Sequence, residues 1–471
     1  MTRTIFAALF LFSILFSTAQ EQAKVTDKTE SFKKLYNQKN HSQIYSMFSP
    51  TYKSRVKEEA FIDFVTKNLY NSYGELESNE YLKTEGPQHT YISHFKLGDL
   101  LLNISVDEEE RIDNLEFLPY YGIPKTKRLE YLSDNKDSTS LDSIIDKLVK
   151  DYMQSPQNCG LSIGVYTEGK KYYYNYGELK RNTGTLPTEN TIYEIGSLTK
   201  VFCGLLLAQA ITEKEVNADD DIRLFLPVYN YKNLQVGETP IRLIHLANHS
   251  SGLPTSPENL NAQRDYDPLN PYKNYNKEMI FNYLKNVKLE TEPGRINEYS
   301  TLGMALLGII LEKVYNKSFE ELVIEKICKP NGLESTAIKL STEQQSKFAT
   351  GYNSNGRATP YWDLGDMAAA GGLKSSTKDM LAFLENNLLE KNEAIKLSTQ
   401  TTYNKGEEVA MGWHILKTKP GNRLVWHNGG TFGFSGFIGF IKEKKCAVVV
   451  LSNSGSMVDY ISLGILKYLQ Q

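Results

Sequence analysis

The chain has 471 residues, 40% of them hydrophobic, 23% charged and 11% aromatic. At about 100 to 200 residues per domain this predicts two to four domains with filled cores, and it excludes disordered, fibrous and collagen-like chains. Lysine and arginine total 53 against 56 acidic residues, a formal net charge of -3. No extended basic stripe exists to neutralise a phosphate backbone, so nucleic acid is not an expected partner.

Arg3 precedes an apolar run over residues 5–16 that only Ser13 interrupts, and Ser17-Thr18-Ala19 supplies small residues for a signal peptidase. The reading is a cleaved leader over 1–19 and a periplasmic or secreted product. No later run approaches the roughly 20 apolar residues that span a bilayer, so no stable membrane span is expected. Export allows disulfides, and the four cysteines (Cys159, Cys203, Cys328 and Cys446) admit three pairings. Cys203 lies in an apolar helical run and Cys446 opens a β-branched strand, so both read as small buried hydrophobes.

Residues 20–123 begin with helical spacing at Phe32, Leu35 and Tyr36 and at Phe61, Phe64 and Val65. Strand-like segments follow over 90–95, 100–106 and 112–118, with an acidic turn at Asp107-Glu108-Glu109-Glu110. This is an α+β module, and its order of elements resembles the small cystatin-like or NTF2-like domains attached to exported hydrolases. Residues 124–139 turn polar and read as a linker.

A second domain is expected over 140–471. Ser140 can cap a helix with Leu141, Ile144, Ile145, Leu148, Val149 and Tyr152 on one stripe. Segments 161–167 and 171–176 read as a hairpin about Glu168-Gly169, segments 434–440 and 446–451 as strands, and Ile461, Leu463, Ile465, Leu466 and Leu469 as a last helix. The fold class is therefore α+β: an antiparallel sheet flanked by terminal helices, with a helical subdomain inserted.

The Ser-x-x-Lys pattern occurs six times, at Ser31, Ser54, Ser93, Ser133, Ser197 and Ser375, so context must select among them. Only Ser197 follows a glycine and opens a run (Val201, Phe202, Leu205, Leu206) with the apolar period of a buried helix. That places Lys200 on the same face, within reach of the hydroxyl. A serine needs a base, and an amine desolvated in a cleft can serve as one. Two more segments stand out. Tyr299 sits just ahead of an almost wholly apolar helix, and Trp426-His427-Asn428-Gly429-Gly430 follows a strand-like stretch with glycines that let backbone approach a ligand.

In this order, Ser197-Leu198-Thr199-Lys200, Tyr299-Ser300-Thr301 and His427-Asn428-Gly429 resemble the three motifs of the serine β-lactamase and penicillin-binding protein superfamily. The nearest branch holds class C β-lactamases, D-alanyl-D-alanine carboxypeptidases and related esterases. Segments 246–254 and 370–379 strengthen the resemblance. It implies that Ser197 is acylated and that Lys200 and Tyr299 share the proton transfers, in an order left open. It further implies that the N–H groups of Ser197 and Gly430 hold the oxyanion and that His427, with Gly429 beside it, orients substrate and the Tyr299 hydroxyl. The substrate would be a small ester, a D-amino-acid amide or cell-wall-derived peptide, or a β-lactam, with no metal or organic cofactor.

Thr301 departs from the usual Asn at the end of the second motif, and its hydroxyl cannot offer both a carbonyl and an NH2. This favours esters or small D-amino-acid amides. It also motivates a rival reading, a weakened penicillin-binding-like protein that binds cell-wall peptide or a protein partner. His245 and His249, four apart, have the spacing of zinc ligands on a helix, yet the accompanying Glu and a third ligand are missing. They read as core or loop-anchoring residues, Asp219-Asp220-Asp221 as a solvated loop, and Tyr172-Tyr173-Tyr174 as alternating faces of a half-buried strand.

Overall fold

A computed structural model describes residues 24–120, 130–227, 229–263 and 265–471. The expected leader over 1–19 lies outside the described residues, as do residues 124–129. The chain divides into two compact units, Met1–Pro124 and Lys125–Gln471.

The first unit opens with a helix over 24–37, whose Phe32 and Tyr36 rings stack one turn apart, and shorter helices follow. A four-stranded antiparallel meander comes next: β1 (Leu76–Glu85), β2 (Gln88–Phe95), β3 (Gly98–Val106) and β4 (Ile112–Pro119). Tyr91, Phe95, Leu102 and Ile104 cover one face and pack with Phe32, Tyr36, Phe48 and Phe61. The sequence pattern misses β1. It is an edge strand in which Leu76 alone is buried, so no alternation of apolar residues marks it.

The second unit centres on a seven-stranded antiparallel sheet. Its hairpin is β5 (Gly160–Thr167) and β6 (Lys170–Gly177), closed by Glu168 and Gly169, both with positive φ. A separate two-stranded ribbon pairs β7 (Ile192–Glu194) with β8 (Lys374–Ser376). The remaining strands of the large sheet are β9 (Glu408–Val409), β10 (His414–Lys417), β11 (Arg423–Gly430), β12 (Ser435–Ile441) and β13 (Cys446–Ser452), in the order β9-β10-β11-β12-β13-β5-β6.

Five helices matter for the site: α1 (Ser140–Gln154), α2 (Thr199–Thr212), α3 (Thr301–Tyr315), α4 (Thr377–Leu388) and α5 (Asp459–Leu469). Strand alternation decides which face each covers. Val448 and Val450 of β13 and Ile163 and Val165 of β5 meet Ile145 and Val149 of α1 and Ile461 and Ile465 of α5. Val449 and Leu451, one residue out of phase, join Val201 and Phe202 of α2, Met304 of α3 and Leu381 of α4. The sheet is thus closed on one face by the two terminal helices and on the other by the helical insertion, the expected α+β arrangement. Helix α2 is apolar on nearly every side because it runs through the middle of that insertion.

Two local expectations shift. Thr139, not Ser140, caps α1, in a reciprocal box with Asp142. Residues 133–135 do not hang free but run along β6, where the Asp134 carboxylate accepts both N–H groups of Asn175 and Asn135 donates to the Tyr176 hydroxyl. Polar residues that read as a linker are spent on covering a sheet edge. All four cysteines are buried, and Cys203, Cys328 and Cys446 are unpaired. Among the described residues no helix is long and apolar enough to cross a membrane.

Candidate active site

Ser197 lies in a single 3-10 turn, Gly196–Leu198, that feeds directly into α2. Gly196 has a φ of +49°, and a methyl group on it would lie 2.5 Å from the Gly430 carbonyl oxygen. Both facts require glycine there. Lys200, one turn beyond Ser197 and the second residue of α2, is 0% exposed. Its amine donates to the Ala370 carbonyl at 2.6 Å and lies 2.9 Å from Ser197 Oγ. Loss of hydration brings this amine down to about 7.

The Tyr299 hydroxyl donates to the same Ser197 Oγ at 2.8 Å. Burial pushes the phenol up to about 12, against a downward pull from Ser197. The phenol is fixed by the residues on both sides of it. The Tyr299 backbone carbonyl accepts the Thr255 hydroxyl at 2.8 Å, the Glu298 N–H donates to His249 O at 2.7 Å, and Ser300 caps α3. Segment 246–254 therefore serves as the shelf beneath Tyr299, while segment 370–379 supplies the carbonyl that holds Lys200. Thr301 is the first residue of α3, and its N–H donates to Thr255 O.

The third segment is the end of β11. A methyl group on Gly429 would sit 2.9 Å from the backbone nitrogens of both Ser197 and Leu198, so glycine keeps the space above these amides open. Gly430 follows, paired with Ser435 of β12. His427 precedes these glycines on the same strand. It is 1% exposed, its Nδ1–H donates to the Asn428 carbonyl, and its Nε2 has no hydrogen-bond partner among the described residues. Its ring lies 6.3 Å from that of Tyr299, with no hydrogen bond to the phenol. Burial first, then the neighbouring His414 and Lys200, hold His427 well below the ordinary imidazole value, so it is neutral.

Three of the residues singled out by sequence, Ser197, Lys200 and Tyr299, thus meet at one oxygen. Gly429 packs against the Ser197 backbone nitrogen, Gly430 against Gly196, and the His427 ring lies within 6.3 Å of the Tyr299 ring. The zinc-like pair instead anchors backbone: His245 Nδ1 accepts from Arg242 N and His249 Nδ1 from Ser300 N. The His249 ring also packs on Tyr299, 4.6 Å between centroids, and burial lowers it to about 3. Of the acidic triplet, Asp221 accepts from Arg223 and Asp219 from Arg242.

Three contributors escape sequence reasoning. His414 of β10 lies 5.0 Å, ring to ring, from both His427 and Trp426, and no spacing rule reveals that cross-strand neighbour. The Ala370 carbonyl is backbone and carries no side-chain signal. Glu194 is buried in β7, where it accepts from Trp362 N and Thr431 Oγ1. Its one visible mark is a carboxylate set among Ile192, Tyr193 and Ile195.

Comparison with known proteins bears on the same region. The family model described as Beta-lactamase matches residues 145–466. A β-lactamase of Pseudomonas fluorescens is 26% identical over 355 residues, covering 67% of this chain and 94% of the relative. Among solved structures, a β-lactamase/D-alanine carboxypeptidase from Pseudomonas syringae superposes with a TM-score of 0.60 at 24% identity, covering 70% of this chain and 99% of that one. A class C β-lactamase gives 0.62 at 23% identity, covering 72% and 99%. The two solved structures share the fold, and the family model covers most of the second unit: the chain belongs to the β-lactamase family and is a serine hydrolase of that type.

Proposed function

We propose that this protein is an exported hydrolase that works through a covalent acyl-enzyme on Ser197, with small esters or D-amino-acid amides as preferred substrates. The observation that carries the reading is the pair of contacts on one oxygen: a fully buried amine at 2.9 Å and a phenol at 2.8 Å from Ser197 Oγ.

With its pKa at about 7, the Lys200 amine is substantially neutral at neutral pH, whereas the Tyr299 phenol at about 12 keeps its proton. Lys200 is therefore the base. Its lone pair takes the Ser197 proton as Oγ bonds to the substrate carbonyl carbon, and the carbonyl oxygen takes up negative charge. The N–H groups of Ser197 and Gly430 flank that oxygen, and each such donor is commonly worth about 3 kcal/mol in the transition state. Collapse breaks the bond to the leaving group, which receives a proton from Tyr299 while Lys200 restores the phenol. A water molecule then repeats the sequence and releases the acid.

Thr301 in place of Asn supports esters over extended amides, because one hydroxyl cannot pair with both ends of an acyl-amide group. The leader over 1–19 supports action in the periplasm or outside the cell. Incubation with a fluorophosphonate, followed by mass mapping, should place one adduct on Ser197 of the wild-type chain and none on Ser197→Ala. A panel of p-nitrophenyl esters, D-alanyl peptides and nitrocefin then ranks the substrates. An unlabelled wild-type chain would overturn the acyl-enzyme and favour the peptide-binding rival.

A further inference from the structure

We infer that Glu194 is a positioning residue: its carboxylate bridges the two segments that carry the Ser197 and Gly430 N–H groups and fixes the gap between them. The inference rests on acyl transfer at Ser197 as proposed above and adds a residue to it.

The geometry is specific. Glu194 closes β7, three residues before Ser197, and is 4% exposed. One carboxylate oxygen accepts the hydroxyl of Thr431, the residue after Gly430, at 2.7 Å. The other accepts the Trp362 N–H at 2.7 Å, and the Trp362 ring packs edge-on against Phe432 at 4.9 Å. One side chain thereby joins the approach to the nucleophile, the exit of β11 and the loop beside them.

The sheet ladder does not provide this link, because β7 pairs with β8 while β11 pairs with β10 and β12. Yet the two segments touch: methyl groups on Gly196 and Gly429 would fall 2.5 Å from Gly430 O and 2.9 Å from Ser197 N. An oxyanion fits between two amides only if their spacing is held to a fraction of an ångström, and a displacement of about 1 Å can cost a hundredfold in rate.

A buried negative charge near a developing oxyanion opposes it, so the function of Glu194 is the bridge and not the charge. Glutamine tests this directly. Its carbonyl can accept from Trp362 N while its NH2 donates to Thr431 Oγ1, since a hydroxyl both donates and accepts.

The test uses the full chain, a p-nitrophenyl ester and fluorophosphonate labelling of Ser197. Thr431→Val replaces only the hydroxyl by a methyl group and is expected to lower kcat and the labelling rate about tenfold, with KM within about twofold and a Tm lowered by no more than several degrees, so that the chain stays folded in the assay. Glu194→Ala should lose at least as much, and Glu194→Gln should recover to within about threefold of wild type. Wild-type kcat in a folded Thr431→Val chain, a defect confined to KM, or a Glu194→Gln chain as slow as Glu194→Ala would each overturn the bridge. Failure of the wild-type chain to be labelled would instead overturn the acyl-enzyme reading itself.

Discussion

Lys200 and Tyr299 touch the same oxygen, but burial moves them in opposite directions, the amine down to about 7 and the phenol up to about 12. An ammonium cannot accept the Ser197 proton, so kcat/KM should rise with pH along an acid limb centred near 7. The surrounding imidazoles do not produce that limb, because burial lowers His249 to about 3 and depresses His414 and His427. A pH–rate profile in which neither His414→Gln nor His427→Gln moves the limb would assign it to Lys200. The same shift affects stability. The folded-state pKa lies below the ordinary 10.5, so the unfolded chain binds more protons between about 7 and 10.5 and stability rises across that window. Lys200→Met should abolish labelling while giving a Tm at pH 6 at or above wild type, a gain that shrinks toward pH 10. At Thr301 the expectation runs the other way. Thr301→Asn supplies a carbonyl and an NH2, and one added hydrogen bond of about 1 kcal/mol should raise nitrocefin hydrolysis several-fold.

Helix α2 shows how tightly the elements around the site are packed. Gly204 lies in its interior, and a methyl group there would meet the Met411 carbonyl oxygen at 2.0 Å. Backbone cannot yield as a side-chain tip can, so Gly204→Ala should destabilise the second unit by about 1 to 3 kcal/mol in a guanidinium titration. Helix α1, with its periodic apolar stripe, and α2 and β13, which are apolar on nearly every side, were legible in the sequence, and so were three chemical groups tied to a recognisable order of motifs. Legibility failed where a structure depends on something other than a residue's own period. Edge strand β1 has no buried face, the Thr139 cap is set by a reciprocal bond from Asp142, and β11 runs on through two glycines that look like a turn. His414 and Glu194 join the site through cross-strand and long-range neighbours that no local pattern encodes.

Each unit has a core of its own: Phe32, Tyr36, Phe48 and Phe95 in the first, and the two faces of the large sheet in the second. Separate cores predict separate melting, so calorimetry should resolve two transitions, and Gly204→Ala should move only one of them. Every residue placed at the site comes from the second unit. A fragment spanning 125–471 should therefore still react with a fluorophosphonate at Ser197, at a rate within about threefold of the full chain.

The four thiols add a built-in reporter. All are buried, burial raises the pKa of Cys203, Cys328 and Cys446, and none belongs to the first unit. A chromogenic disulfide reagent should meet no thiolate until the hydrolase unit opens. Cys446 sits in the layer under the terminal helices, and Cys203 and Cys328 in the core that the insertion shares with the other sheet face. The order in which these sulfurs become reactive would then tell which side of the sheet comes apart first.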